Sequence, residues 1–380
     1  MSDFEKEILQ DVFVVDVDVH VHESPKALLP YCEEPWQRSL EALQNVPERY
    51  LDIPGFSPGG LGLSAPFPGR HDAHRKVHDP EQMRRELSEI GVDIGILFPD
   101  HLLKLAILPQ AEYAAALARA CNAWLVDQWV APPQGLLGCV VAAPQSPLAA
   151  AEEIHRYARH SGIVGVYLPT AGVEPLWGHR RYDPIYEAAQ ATGLPVLLHS
   201  VNITHPVYPH QVHGFETEMA RHTVSHVFSM IVNLVSIVTT GVQVRYPNLK
   251  IGFTEAGLAW VPFIAERLDK EYLERRREVP FLEARPSHYV KRCYFATQPI
   301  EEPENPAHVE TYIDLFDGAK TTMFASDWPH HDFDHPRKVI QYLRDPQLRA
   351  QVMGENALAF FGIDRSGNRL DLAGARSVAS

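Results

Sequence analysis

Short apolar runs rich in valine, isoleucine and leucine recur along the chain at fairly regular spacing. Runs that are apolar throughout, rather than alternating with polar positions, are typical of parallel strands covered on both faces. The pattern predicts eight such strands, at Val12–His20, Val92–Phe98, Gly135–Ala142, Gly162–Leu168, Leu194–Ser200, Lys250–Ala256, Arg292–Thr297 and Thr321–Asp327.

Amphipathic segments separate these runs and predict helices between the strands. One begins with Pro80 and ends with Gly91, the residue types that helices favour at their first position and just beyond their last. Others are predicted at Ala111–Val130, Ser146–Gly162 and Thr217–Gly241. Strands and helices that alternate in this way favour an α/β protein, either a (β/α)₈ TIM barrel or a doubly wound sheet. Because no glycine-rich phosphate loop follows the first strand, the barrel is the predicted fold.

Two long insertions interrupt the alternation at the C-terminal ends of predicted strands. Residues 23–78 are rich in glycine, proline and histidine, and residues 201–216 contain the stretch THPVYPHQVHG. Barrel enzymes build their active sites at this end, and long loops without regular structure are commonly lids or binding elements. We therefore expect one barrel domain over residues 1–380, with both insertions at its C-terminal face as lid elements.

Composition and charge narrow the function classes. Hydrophobic residues make up 45% and charged residues 22% of the chain, as in ordinary globular proteins. The formal net charge of −14 disfavours binding to nucleic acid or to anionic membranes. The N-terminus lacks a signal-peptide pattern and no apolar run approaches the length of a membrane span, so a cytoplasmic protein is expected. The cysteines form no CxxC pair and predict neither a zinc knuckle nor a disulfide framework: Cys32, Cys121, Cys139 and Cys293.

Candidate chemistry begins at the end of the first predicted strand. Asp16, Asp18, His20 and His22 alternate there, and a strand would place all four side chains on one face. Two histidines on the inward face of a barrel cost free energy unless something pairs with them. A metal ion held by both imidazoles would remove that cost, although a run of surface residues beyond the strand would give the same pattern.

Two other strand ends carry possible metal ligands. His199 follows the apolar run LPVLL, and Asp327 ends the run TTMFAS. Taken alone, such a histidine is typical of a hydrogen-bonded structural group, and such an aspartate is typical of a helix cap. In a barrel, however, the C-terminal ends of the first, fifth and eighth strands meet at one mouth. We therefore expect His20, His22, His199 and Asp327 to meet there.

The motifs DVDVHVHE, LLHS, GFTEAG and FASDWPH occur in this order, and LLPY…PW follows the first of them. Together they resemble the amidohydrolase superfamily over nearly the whole chain. The resemblance is to its amidohydrolase-related branch, which includes aminocarboxymuconate-semialdehyde and resorcylate decarboxylases. It implies that His20 and His22 are the first-strand metal ligands, His199 the fifth-strand ligand and Asp327 the last, with Asp327 also moving a proton. It does not fix the reaction.

One position departs from that branch. Its decarboxylases usually carry a histidine near the metal after the sixth strand, whereas this chain has Glu255. That carboxylate would bond to backbone, act as a general acid or base, or bind a second metal. His226 follows His222 by four residues on a predicted helix, a spacing that binds metals in some proteins and equally suits a helix packed beneath a loop. Glu255 and His226 are therefore candidates both for catalysis and for a second ion.

Several side chains are candidates for binding a small carboxylated substrate. An arginine in the first insertion would pair with a carboxylate through two parallel hydrogen bonds. Histidines next to the proposed ligands would contact substrate or cap a helix. The candidates are Arg70, His222 and His330, with Arg221 and His331 beside them.

Three functions stay open on these grounds. The first is a metal-dependent hydrolase or decarboxylase acting on a small carboxylated substrate, with zinc, manganese or iron as Lewis acid or source of hydroxide. The second is a dinuclear non-heme iron oxygenase (Fe/Fe or Mn/Fe) on the same fold, with two metals in a shell of imidazoles and carboxylates. The third is a partner subunit with a structural metal. A homo-oligomer or an assembly with a homologous subunit is expected.

Overall fold

Eight parallel strands form the centre of the protein, and each pairs with the next one along the chain. The computed structural model describes residues 12–44, 77–201, 212–330 and 332–370. Every residue of seven of the strands is buried, and only Tyr294 in the remaining one is half-buried. The strands, labelled β1 to β8, are Val15–Val21, Ile94–Pro99, Leu136–Val141, Ile163–Pro169, Val196–His199, Ile251–Thr254, Tyr294–Ala296 and Thr322–Met323.

The sheet closes on itself between β8 and β1. The Val17 N–H donates to the Phe324 carbonyl at 3.1 Å, and the His20 N–H donates to the Trp328 carbonyl at 2.7 Å. Closure leaves no strand edge unpaired along this seam, so the inward side chains of β1 and β8 face a common interior. The predicted (β/α)₈ barrel is confirmed.

Helices connect the strands and cover the outside of the barrel. Their ends follow the residues that favour helix termini: for the helix at Pro80–Ile90, the Asp79 carboxylate accepts from the Gln82 N–H at 2.7 Å, and Gly91 ends the helix with φ 89°. The α-helices, labelled α1 to α14, are Pro25–Leu28, Trp36–Leu43, Pro80–Ile90, Ala111–Gln128, Pro147–Tyr157, Asp183–Thr192, Glu218–Thr239, Val242–Arg245, Trp260–Arg275, Pro286–Val290, Ala307–Leu315, Pro336–Ile340, Pro346–Ala350 and Asn356–Phe361.

The eight predicted strands all coincide with observed ones; seven of the observed strands are shorter than predicted, and β4 is shifted by one residue at the same length. The last is reduced to two residues, because the chain from Phe324 onward leaves the β7 ladder and pairs with β1 instead. The first insertion also differs from expectation. Its described part, residues 23–44, is not an irregular loop but carries helices α1 and α2. Residues 45–76 and 202–211 lie outside the described residues, and the lid prediction is untested there.

Helix α7 departs from the expectation that no apolar run approaches the length of a membrane span. Its segment Met219–Thr239 is long and apolar enough to cross a membrane, judged by length and composition alone. Helices that cover a barrel meet the same criterion. Met230, Leu234 and Ile237 of this helix are fully buried, so one face of α7 packs into the hydrophobic core.

Candidate metal centre

The inward face of β1 delivers two possible ligands to the C-terminal half of the barrel. Asp18 and His20 are both buried, and His20 Nε2 lies 3.1 Å from Asp18 Oδ1. Asp16, two residues earlier, has a different contact: its carboxylate accepts from the Ser326 N–H at 2.9 Å and from the Ser326 hydroxyl at 2.5 Å. Asp16 thus ties the segment after β8 to β1 and positions the residue that follows Ser326.

That next residue, Asp327, faces both β1 side chains. Its N–H donates to the Asp18 carbonyl at 3.0 Å, which fixes the register between the two chain segments. Asp327 Oδ1 consequently lies 3.1 Å from His20 Nε2. The backbone of Asp327 is left-handed, with φ 64°, a conformation that costs a non-glycine residue free energy and is often retained at functional sites.

His199 completes the group from across the barrel. It is the last residue of β5 and is fully buried. Its Nε2 lies 2.8 Å from Asp18 Oδ1, and its Nδ1 lies 2.7 Å from the Ser200 carbonyl. The Nδ1–H therefore donates to this carbonyl, and Nε2 presents either a lone pair or a second proton to the Asp18 carboxylate.

The protonation pattern of His20 shows why these atoms need a positive charge between them. His20 Nδ1 lies 3.1 Å from the Pro99 carbonyl, which requires a proton on Nδ1. In the neutral imidazole, Nε2 is then an acceptor that faces two carboxylate oxygens, from Asp18 and Asp327. Neither His20 Nε2 nor Asp18 Oδ2 has a hydrogen-bond partner among the described residues. A proton or a metal ion must supply the missing charge.

The titration behaviour of the metal-free protein agrees with this picture. Burial and the nearby His330 lower the pKa of His20, but the carboxylates of Asp18 and Asp327 outweigh both and raise it to about 9. Burial opposes ionisation of Asp18 as well, but His199 and His20 outweigh burial and lower the pKa of its carboxyl group. Without an ion, therefore, imidazolium groups hold the carboxylates together.

The donor set fits a divalent metal. Two imidazole nitrogens, from His20 and His199, and oxygens from Asp18 and Asp327 are the ligand types that zinc, manganese and iron accept. In both histidines the N–H of the other ring nitrogen donates a hydrogen bond to a backbone carbonyl, as in most metal-binding histidines. Among the described residues, one group whose ligand atoms lie within 4.8 Å of one another consists of Asp18, His20 and His199. An overlapping group consists of His20, Asp327 and His330.

His22 lies beside Asp100 and His101 in the structure, and its expected role as the second ligand of the HxH pair stays a prediction. Its Nδ1 lies 3.0 Å from Asp100 Oδ2, and its Nε2 lies 3.4 Å from His101 Nε2. The physical reason is depth: residues two apart on a strand are separated by roughly 6.6 Å along it. The register with Asp327 sets the centre at the level of Asp18 and His20, so His22 lies one step further out. Sequence reasoning placed Asp18 on this face but did not count it as a ligand.

Glu255 and His226 lie beside the centre on the far side of His199. Glu255 Oε2 is 3.2 Å from His199 Nδ1 and 3.3 Å from His226 Nδ1, and His226 Nδ1 is 3.1 Å from Ser200 Oγ. Burial raises the pKa of Glu255, but the two imidazoles outweigh burial and lower it to about 2. Glu255 also has a left-handed backbone, with φ 62°. Glu255 is thus an ionised carboxylate between the imidazoles of His199 and His226. The role of Glu255 and His226 as ligands of a second metal ion stays a prediction.

The other predicted residues are distributed around the mouth. His330 stacks on His20 with ring centroids 4.2 Å apart, and its Nδ1 lies 2.7 Å from Asp327 Oδ1. His222 Nε2 lies 3.3 Å from Asp332 Oδ2, and Arg221 is buried at the start of α7. Arg70 and His331 lie outside the described residues.

Comparison with known proteins places the chain in a family. Residues 17–363 match the family model described as amidohydrolase. The chain belongs to the amidohydrolase family. The predicted resemblance is therefore confirmed, and its decarboxylase branch reappears among the amidohydrolase relatives.

Two curated relatives are decarboxylases. The gamma-resorcylate decarboxylase of Rhodococcus jostii (strain RHA1) is 23% identical over 350 residues, which cover 86% of this chain and 98% of that protein. The gamma-resorcylate decarboxylase of Polaromonas sp. (strain JS666 / ATCC BAA-500) is 24% identical over 262 residues, covering 66% of this chain and 77% of that protein.

Solved structures share the fold. An amidohydrolase from Mycobacterium avium subsp. paratuberculosis K-10 superposes with a TM-score of 0.72 at 18% identity, covering 93% of this chain and all of that one. The 5-carboxyvanillate decarboxylase of Novosphingobium aromaticivorans, complexed with manganese and 4-hydroxy-3-methoxy-5-nitrobenzoic acid, superposes with a TM-score of 0.65 at 18% identity, covering 93% of this chain and 97% of that one.

Proposed function

We propose that this amidohydrolase is a metal-dependent decarboxylase that removes carbon dioxide from a small aromatic carboxylic acid. The observation that carries the proposal is the convergence of His20 Nε2 with carboxylate oxygens of Asp18 and Asp327 inside a closed barrel. His199 adds a second imidazole to this group. The choice of reaction is supported by the gamma-resorcylate decarboxylases among its relatives and by the manganese bound in a structural neighbour.

The four side chains would hold a divalent ion such as manganese, zinc or iron. When bound, this ion supplies a Lewis acid that withdraws negative charge from a substrate oxygen. The residues themselves keep the cavity electrostatically balanced, because two carboxylates and two neutral imidazoles match the charge of a divalent cation. Burial of all four excludes bulk water from the centre, which strengthens every charge interaction inside it.

Asp327 is proposed as the proton donor. When the bond between the ring and its carboxyl group breaks, the electron pair stays on the ring carbon, which takes a proton as carbon dioxide leaves. In the metal-free protein burial raises the pKa of the Asp327 carboxyl group, and general acids of this kind act by giving a proton to the reacting atom in the transition state. His330 contacts Asp327 and is partly exposed, so it can return a proton from solvent after each turnover.

Hydrolysis is the second candidate reaction, because of Glu255. Its pKa, lowered to about 2, keeps the carboxylate ionised at neutral pH, so it can accept a hydrogen bond from an attacking water and orient it. Because so low a pKa makes it a weak base, hydrolysis ranks below decarboxylation. Substrate analysis separates the two reactions, since hydrolysis consumes water and releases no carbon dioxide. The comparisons give no support to the oxygenase hypothesis. Assembly as an oligomer or with a homologous subunit, and a cytoplasmic location, stay predictions.

The test is an assay of the full chain loaded with manganese. It would be incubated with 2,6-dihydroxybenzoate and with 5-carboxyvanillate, and carbon dioxide release and loss of the acid would be followed by chromatography. We expect one of these acids to lose carbon dioxide, and in deuterated water the product should carry deuterium at the carbon that lost its carboxyl group.

Two matched controls accompany the assay. Asp327→Asn should lose activity at least ~10²-fold, since it removes the proposed proton donor, whereas Asp314→Asn alters an exposed carboxylate on α11 and should be fully active. Cleavage of an ester or amide of the same aromatic acids, with no carbon dioxide from the free acids, would favour hydrolysis and reject the decarboxylase.

A further inference from the structure

Gln298 is a buried side chain at the barrel mouth with no role in the centre or the reaction described above. It lies two residues after the end of β7 and is fully buried. Its Nε2 lies 3.4 Å from Asp327 Oδ2. We propose that Gln298 supports Asp327 through its Nε2 and offers its Oε1 to a hydrogen-bond donor on the substrate, so that it is both a positioning and a specificity-determining residue.

The contacts of Asp327 decide how the Gln298 amide is oriented. Asp327 Oδ1 lies 3.1 Å from His20 Nε2 and 2.7 Å from His330 Nδ1, whereas Oδ2 faces the Gln298 amide. Because a carboxylate oxygen accepts hydrogen bonds, the NH₂ group of the amide points to Oδ2. The carbonyl oxygen Oε1 then lies on the other side of the amide group.

That carbonyl oxygen is an open hydrogen-bonding position. Among the described residues, Gln298 Oε1 is buried and has no hydrogen-bond partner. A buried acceptor without a donor costs free energy, and such groups are rare in folded proteins. If Gln298 only supported Asp327, this cost would stay uncompensated. A donor on a bound molecule would compensate it.

The backbone around Gln298 is held by hydrogen bonds on both sides. Thr297 Oγ1 accepts from the Ala325 N–H at 3.2 Å, and the Gln298 carbonyl accepts from the Gly257 N–H at 3.2 Å. The end of β7 is therefore bonded to the segments that follow β6 and β8. A side chain fixed in this way needs little rearrangement when a ligand binds, so less entropy is lost.

The charges nearby favour an uncharged donor. The Gln298 amide contacts Asp327, and the Gly257 N–H that bonds to its backbone lies two residues after Glu255. These carboxylates disfavour a negatively charged substituent, whereas a hydroxyl group donates a hydrogen bond without carrying charge.

The position of that hydroxyl group rests on the proposed function. In the proposed decarboxylation, Asp327 reaches the ring carbon that loses carbon dioxide, and Gln298 is one hydrogen bond away from Asp327. The substrate is therefore expected to carry its hydroxyl group next to the carboxyl group.

Equilibrium binding to the full chain saturated with Mn²⁺ tests the specificity role. Isothermal titration calorimetry would compare benzoate, 2-hydroxybenzoate and 3-hydroxybenzoate. Gln298→Met keeps the length of the side chain and removes both amide groups, and Gln347→Met alters an exposed glutamine on α13 as a matched control. Wild type and Gln347→Met should bind 2-hydroxybenzoate about tenfold more tightly than the other two acids. Gln298→Met should bind all three alike.

Competition with a chelator tests the support of Asp327 without any substrate. Loss of an outer partner of a metal ligand typically weakens metal binding by roughly 10–100-fold, so Gln298→Met should lose about this much Mn²⁺ affinity. Gln347→Met should lose none. Circular dichroism of each variant verifies that the barrel is folded.

Three results would overturn the inference. If Gln298→Met keeps the preference for 2-hydroxybenzoate, the hydroxyl group binds the ion and Oε1 binds water. If wild type shows no such preference, or binds none of the acids, Oε1 receives no donor from the substrate. If Gln298→Met keeps the Mn²⁺ affinity of wild type, Gln298 does not support Asp327.

Carbon dioxide release, measured separately, distinguishes this inference from the proposed function. A preference for 2-hydroxybenzoate that depends on Gln298, without decarboxylation of any acid, keeps the inference and rejects the decarboxylase. Decarboxylation by Gln298→Met with the KM and kcat of wild type keeps the decarboxylase and rejects the inference.

Discussion

In the structure Asp18 Oδ1 lies 2.8 Å from His199 Nε2, whereas His22, which directly follows β1, lies beside Asp100 and His101. These contacts bear on which side chains would bind the metal ion. Asp18 Oδ1 lies within 3.1 Å of both imidazole Nε2 atoms of the centre, whereas the ring of His22 contacts Asp100 and His101. At the scale of the residue, therefore, the geometry favours Asp18 as a ligand beside His20, and the role of His22 in the HxH pattern stays a prediction.

A pair of variants tests this assignment. Asp18→Asn should weaken binding of the tightest Mn²⁺ ion by more than ~100-fold, since loss of an orienting group alone costs 10–100-fold and Asp18 would contact the ion itself. His22→Asn should leave that affinity unchanged. Competition with a chelator measures both. The reverse result, a large loss with His22→Asn and none with Asp18→Asn, would restore the HxH pair.

The ends of strands are the elements on which the centre depends. Glu255 follows β6 with φ 62° and Asp327 follows β8 with φ 64°. In both cases the left-handed backbone turns the chain out of the strand while the side chain still lies over the barrel. Non-glycine residues lose about 1–2 kcal/mol in this conformation, and the fold tolerates it at both positions.

Two substitutions at Glu255 measure this backbone cost. Glu255→Ala and Glu255→Gly both remove the carboxylate, so their difference isolates the backbone. We expect the glycine variant to be more stable than the alanine variant by about 1 kcal/mol, after the greater flexibility of unfolded glycine is subtracted. Urea unfolding of the two metal-free proteins measures this difference in the free energy of unfolding. Equal stabilities, or a more stable alanine variant, would contradict a strained backbone at this strand end.

Helix α12 offers a pH-dependent cap. His335 precedes it, and the His335 Nδ1 accepts from the Arg337 N–H at 3.1 Å. Burial, assisted by the positive charge of Arg337, lowers the pKa of His335 below 6.5. Because the pKa is lower in the folded state, this contribution to stability is complete above pH 6.5 and is lost as pH falls through the folded-state pKa.

The corresponding test uses His335→Asn, which keeps an acceptor at the cap but does not titrate. Above pH 7 the free energies of unfolding of wild type and variant should change alike with pH. Below pH 6.5 the free energy of unfolding of wild type should fall by up to about 1 kcal/mol relative to that of the variant, the usual contribution of a cap. Urea unfolding between pH 8 and pH 5 follows the difference. A gap between them that does not change with pH would exclude His335 as a titrating cap.

For the whole molecule, a bound ion would link function to stability. The centre joins β1, β5 and the segment after β8, which are far apart in the sequence and are brought together by barrel closure. An ion that binds only the folded protein stabilises it by mass action.

Metal removal should therefore destabilise the protein. At a free Mn²⁺ concentration of about 100 times the dissociation constant, the free energy of unfolding should rise by about 2.7 kcal/mol over the metal-free protein. Differential scanning calorimetry measures the shift in Tm. Asp327→Ala should show a much smaller shift with the same metal, and an equal shift in both proteins would show that the ion binds elsewhere.

Much of the fold was predictable because each local signal agreed with the global structure. The eight apolar runs coincide with eight strands, and the Pro80 and Gly91 signals mark the ends of α3. The sequence did not reveal that residues 23–44 contain helices, because both helices are short, with four and eight residues. His101 was not singled out either, although it follows β2 within FPDH, a histidine at a strand end like His199.

What the sequence determined by itself is which side chains stand at the ends of strands: period two fixes the face of Asp18, His20 and His22, and the apolar runs fix where His199 and Asp327 emerge. What only the tertiary structure decided is how far along the barrel axis each of these side chains lies. The N–H of Asp327 donates to the carbonyl of Asp18, more than 300 residues away in the chain. No local pattern encodes that register, because it arises when the last strand closes the barrel against the first.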